Sequence, residues 1–193
     1  MSLRQAAIVA LTLSLAWALR GEHGHERGAA MAGALAGLSV AAVTGEAGWI
    51  AGAVVGSLGF SLGGALSFGL LIDRACHGAP EAFGGLALVG AAWGGLGFLG
   101  LRLGAELRAY RLSEKLLAIG LLTALWWFVD EAWWARHGAA GDVASRIRMA
   151  ASLLAGWLGM CAYLLWRRRW PTVGFSLLGA ASLAGGFLAT PKV

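Results

Sequence analysis

Three short stretches of this chain carry the residue types that do acid–base or metal chemistry. Residues 19–28 read Leu-Arg-Gly-Glu-His-Gly-His-Glu-Arg-Gly and hold His23, His25, Glu22 and Glu26 between two long apolar runs. Asp73, Cys76 and His77 follow a second apolar run at spacings of three and four, which puts them on one side of a helix if that run extends by a turn. Asp130 and Glu131 lie near the end of another such run and His137 just beyond it, with Asp130 and His137 seven residues apart. Neutral imidazole beside carboxylate suits a divalent metal, and the same pair titrates near neutral pH and relays protons. His25, Glu26, Asp73 and His77 are the metal-ligand candidates. The competing reading is that ionisable residues occupy wet loops because an apolar chain has nowhere else to put them.

The local patterns narrow the chemistry. His-x-His-Glu lacks the helical spacing of the His-Glu-x-x-His metalloprotease motif, whose two histidines share a face. A serine nucleophile elbow, a phosphate-binding Walker loop and a zinc-type cysteine pair are not present in the sequence. Cys76 lies just beyond one apolar run and Cys161 deep inside another, so their expected depths differ by roughly 18 Å, too far for a bridge.

What must position these residues is a set of apolar runs. Of 193 residues, 59% are hydrophobic and 13% charged, against about 25% charged in an ordinary soluble domain. The runs are roughly 17 to 25 residues long, enough to cross a hydrocarbon layer of about 30 Å. The expectation is an all-α polytopic transmembrane bundle forming a single integral membrane domain over residues 1–193. Seven spans are expected, at 3–19, 28–44, 49–72, 83–101, 116 to the tryptophan pairs at 126–127 and 133–134, 149–166 and 172–189. Ala16-Trp17-Ala18 has the form of a signal-peptide cleavage site, which would leave six. An uncleaved first helix fits better, because the next apolar run begins only nine residues later.

Glycine marks the expected helix contacts. Gly48, Gly52, Gly56, Gly59 and Gly63 fall on nearly one face of the third span, and Gly90, Gly94 and Gly97 repeat the habit in the fourth. In lipid, small residues let backbones approach closely, so these two spans are expected to cross near their middles. A glycine-lined pore is the functional alternative.

Seven spans sort the charges onto two faces. The first holds Arg4, Arg102, Arg108, Arg111, Lys115 and Arg167 to Arg169 against Glu46, Glu106 and Glu114. The second holds all four histidines, with seven basic and seven acidic residues. Eight basic residues against seven set orientation weakly; the dense arginine clusters place the N-terminus in the cytoplasm, in what is expected to be a bacterial inner membrane. The net charge of +5 flanks apolar runs, so the expected partner is the lipid bilayer, with a homo-oligomer or larger membrane complex, and not nucleic acid.

Residues 20–29, Arg-Gly-Glu-His-Gly-His-Glu-Arg-Gly-Ala, together with the 58–69 block beginning Leu-Gly-Phe-Ser-Leu-Gly-Gly-Ala, resemble a group of bacterial polytopic membrane proteins with an R-G-x-x-G-H-E-x-G-A signature. The resemblance covers about a ninth of the chain and implies a helical membrane fold without attaching an activity. It favours His25 and Glu26 over His23. Three functions follow as expectations: a small-solute or ion channel or transporter with a polar mouth, a structural or assembly subunit of a membrane complex, and a membrane-embedded metal-dependent enzyme.

Overall fold

A computed structural model describes residues 2–64, 69–128 and 143–189. These residues are helical, with no strand among them, and form eight α-helices: α1 (Leu3–His23), α2 (His25–Thr44), α3 (Gly48–Gly64), α4 (Gly69–Cys76), α5 (Pro80–Ala105), α6 (Leu112–Trp127), α7 (Val143–Trp166) and α8 (Trp170–Leu188). A 3-10 turn, Leu107–Ala109, links α5 to α6. Among the described residues, four helical segments are long and apolar enough to cross a membrane: His25–Thr44, Pro80–Ala105, Arg146–Trp166 and Trp170–Leu188. Leu3–Ala16 and Gly48–Gly64 are apolar but shorter.

The expected third span, 49–72, falls on α3 and the first half of α4, with residues 65–68 outside the description. The charged stretch at 19–28 is not a loop. Helix α1 continues through Arg20 to His23, and α2 starts at His25. Only Gly24, at φ +80°, separates them, a backbone conformation that glycine adopts without steric cost. Helix α2 ends in the same way at Gly45, which lies at φ +72° and donates its N–H to the Ala41 carbonyl. At its start α1 carries a capping box, with the Ser2 hydroxyl accepting from the Gln5 N–H and the Gln5 side chain accepting from the Ser2 N–H. Gln5 also donates from Nε2 to the Val43 carbonyl at 2.5 Å, so the start of α1 lies beside the end of α2.

Helices α1, α2, α3, α5 and α8 pack as a row, each against the next. Helices α4 and α7 lie against α5, and α6 touches α3 and α7. Along the seam between α3 and α5 the backbones are in contact. A Cβ at Gly52 would come 2.8 Å from the Leu101 carbonyl oxygen, one at Gly100 2.6 Å from that of Val55, and one at Gly104 2.5 Å from that of Ala51. Gly59 abuts the Leu96 carbonyl, Gly63 the Trp93 indole, and Gly56 the Leu101 side chain. The two helices therefore run antiparallel along the whole of α3 rather than crossing near their middles.

Gly90 and Gly94 have a different partner from the one their spacing suggested. A Cβ at Gly90 would sit 2.7 Å from the Leu183 carbonyl, and Gly94 abuts the Gly179 carbonyl, both on α8. Only Gly97 of that set faces α3, where Phe60 covers it. A 3.6-residue period gives each glycine its angle around the helix axis. It does not say which neighbour stands at that angle.

Buried hydrogen bonds complete the join. Trp157 of α7 donates from Nε1 to the Ser176 hydroxyl at 2.6 Å, and Ser176 of α8 donates onward to the Gly95 carbonyl of α5 at 2.7 Å. Trp93 is fully buried, whereas Leu11, Leu15, Val54, Leu116 and Leu178 are exposed on the outside. An apolar exterior around an apolar interior is the pattern of a bundle whose solvent is lipid.

Candidate functional site

The antiparallel row gives the bundle two chemically distinct ends. At the first, a Cβ on Gly64 would lie 2.6 Å from the His25 carbonyl, and Gly85 packs against Leu71, so the start of α2, the end of α3, α4 and the start of α5 share that end. His23 closes α1 and His25 opens α2, both exposed, and Glu26 is half-buried in the first turn of α2. His77 caps α4: its N–H donates to the Asp73 carbonyl at 3.2 Å, its Nδ1 lies 2.7 Å from that same oxygen, and the Asp73 carboxylate is 3.7 Å from the ring. Both side chains are open to solvent, at 76% and 64%. Cys76 is exposed beside them, while Cys161 is buried in α7.

Among the described residues no three of His, Cys, Asp and Glu gather closely enough to hold a metal ion. His25, Glu26, Asp73 and His77 thus share an end of the bundle without forming a coordination site there. Asp130, Glu131 and His137 lie outside the described residues.

The more highly built polar structure stands at the opposite end, where α5 finishes, α6 begins and the turn from α7 to α8 comes down beside them. Its centre is Glu114, 4% exposed. One carboxylate oxygen accepts from the Arg111 backbone N–H at 2.7 Å and the other from Arg167 Nε at 2.8 Å, with the Arg169 guanidinium 3.7 Å away. The Arg111 N–H, and then the Arg167 guanidinium, hold the carboxyl below its usual titration range.

A second carboxylate extends the network. Glu106 pairs with Arg102 and accepts from the Thr172 hydroxyl at 2.8 Å. The Tyr110 hydroxyl lies 2.8 Å from Thr172 Oγ1 and 3.3 Å from Glu106. Both hydroxyls can donate to Glu106, and in their contact with each other either one can be the donor. Burial, ahead of the nearby Glu106 charge, pushes the Tyr110 phenol above its usual range, so it stays a donor at neutral pH. Arg169 stacks 4.4 Å above the Tyr110 ring and donates to the Ala109 carbonyl at 2.6 Å. Arg102 lies 5.9 Å from the Trp49 ring, and Trp49 donates to Glu46 at 3.1 Å.

Loop position alone marks Glu106 and Glu114 as ordinary loop acids, whereas Glu114 is buried and Glu106 half-buried. One signal was legible: Glu114 falls three residues after Arg111, the position from which a glutamate reaches back to cap a helix start. Chemically the arrangement is a clamp. Each carboxylate is saturated by donors, and the elements they tie together are fixed in register.

No protein-family model matches this chain, and neither a curated protein nor a solved structure is significantly similar to it.

Proposed function

We propose that this chain is a polytopic integral membrane protein of the bacterial inner membrane, with its arginine-rich end in the cytoplasm, and that it serves as a structural or assembly subunit of a membrane complex. The observation that carries the reading is the contact of α5 with its neighbours at backbone distance on two sides. Gly100 and Gly104 abut α3, and Gly90 and Gly94 abut α8, while Trp157 lies on Gly95. A bundle joined in this way, then clamped by Glu106 and Glu114, supports a rigid scaffold better than an opening path along α5.

A channel or transporter is the second reading, favoured by the placement of His23, His25, Glu26, Asp73 and His77 at one end. Flux of small ions into vesicles holding the purified protein, measured beside in-membrane cross-linking of the native protein, separates the two. The scaffold reading predicts flux equal to that of empty vesicles and a discrete cross-linked species, of this chain with itself or with another. Flux well above empty vesicles that is lost in His25→Ala and Glu26→Gln would replace it with the transport reading.

A further inference from the structure

The arginine-rich end carries more positive charge than its own carboxylates neutralise. Arg102, Arg108, Arg111, Lys115 and Arg167 to Arg169 stand there against Glu106 and Glu114, with Glu46 beside Trp49. Arg102 is taken by Glu106, and Arg167 and Arg169 by Glu114. Arg108, Arg111 and Arg168 are exposed and, among the described residues, take part in no ion pair. The chain brings them to one region: Arg108 and Arg111 bracket Ala109 and Tyr110, which Arg169 touches, and Arg168 precedes Arg169 in the chain.

Arg168 is held in an unusual way. Helix α7 ends in the paired bonds of a Schellman turn, with the Arg168 N–H on the Leu165 carbonyl and the Arg169 N–H on that of Leu164, both at 2.8 Å. The residue at its left-handed position is normally glycine; here it is Arg168, at φ +59°. A long cation therefore occupies a position where the backbone alone favours glycine. Trp166 and Trp170 stand two residues to either side, 75% and 64% exposed. Exposed indoles at the ends of two apolar helices belong at the level of the lipid headgroups.

We infer that Arg108, Arg111 and Arg168 form a binding surface for the phosphate of an anionic phospholipid headgroup, with Trp166 and Trp170 against its glycerol and upper acyl region. This rests on the membrane reading above. Charge complementarity selects the ligand: three guanidiniums with no internal carboxylate, at headgroup depth, match a lipid of net negative charge over a zwitterionic one. The Glu114 clamp fixes the turn that presents Arg168.

The test is native mass spectrometry of the full chain in detergent, offered an equimolar mixture of phosphatidylglycerol and phosphatidylcholine. The parent retains phosphatidylglycerol preferentially, and each cation removed weakens that retention by about fivefold. Arg168→Gly loses this much lipid yet melts no lower than the parent, since glycine suits the left-handed turn. Arg108→Gln with Arg111→Gln loses more. Equal retention of the two lipids by the parent, or an undiminished preference in the variant that combines all three substitutions, overturns the inference. Inorganic phosphate that raises the melting temperature as phosphatidylglycerol does would also overturn it, in favour of a soluble-anion site. Extraction of native membranes with alkaline carbonate keeps the two failures apart. Protein that stays in the pellet but shows no lipid preference sinks only this inference, whereas protein released without detergent sinks the membrane reading beneath it.

Discussion

Glu114 is the residue on which the arginine-rich end turns. It is buried, ionised and fully engaged, and the arginines that pair with it come from the α7–α8 turn. Removing the carboxylate in Glu114→Ala leaves the Arg111 N–H without its acceptor and two guanidiniums without their anion, a loss of roughly 1 to 3 kcal/mol of stability. The pH dependence has a definite sign. Because folding lowers the pKa of Glu114 from its ordinary 4.5, its contribution is complete above that value and disappears as pH falls through the lower folded value. Melting temperatures between pH 7 and about pH 3 should therefore fall more steeply for the parent than for Glu114→Ala. Parallel curves would show that Glu114 is not held as described. The sequence exposed the composition of this end but not its pairing. Arg167 and Glu114 are 53 residues apart, and loop membership says nothing about which acid folds beneath which base. At the opposite end His25 and Glu26 drew attention by type, yet residue type did not reveal that no metal-holding group forms among the described residues there.

At the scale of helices, the glycines separate into two kinds that composition alone cannot distinguish. Gly59 faces the Leu96 carbonyl across the α3–α5 seam, whereas Gly84 on α5 has nothing within 4 Å of the position a Cβ would take. Gly59→Ala must move backbone against backbone, a cost of about 1 to 3 kcal/mol. Gly84→Ala meets no neighbour and gains up to about 1 kcal/mol of helix propensity. Melting in detergent should drop for the first and hold or rise for the second; equal behaviour would mean that the seam is looser than its contacts imply. Helix positions were largely legible, because apolar runs and their charged punctuation set them. The boundaries were less so: α1 carries its charges to His23, α6 starts at Leu112 rather than 116, and α7 starts at Val143 rather than 149. In each case a helix continues through polar residues, because its backbone hydrogen bonds are satisfied internally whether or not its side chains are apolar.

The molecule as a whole is a row of antiparallel helices with an apolar exterior, one end carrying exposed histidine and carboxylate and the other a buried arginine–carboxylate clamp. The proposed function depends on those ends facing opposite sides of a bilayer. Odd and even connections follow from the antiparallel packing, and apolar length from the sequence. Sidedness follows from neither, and the proposed cytoplasmic placement rests on the dense arginine clusters of one end. The direct measurement is labelling of single cysteines by a membrane-impermeant thiol reagent in sealed inverted and right-side-out vesicles. In a chain with Cys76→Ser and Cys161→Ala, one cysteine is placed at the end of α1 by His23→Cys and another beside the 3-10 turn by Arg108→Cys. The account predicts that Arg108→Cys is labelled only in inverted vesicles and His23→Cys only in right-side-out ones. Labelling of both from the same side would contradict it.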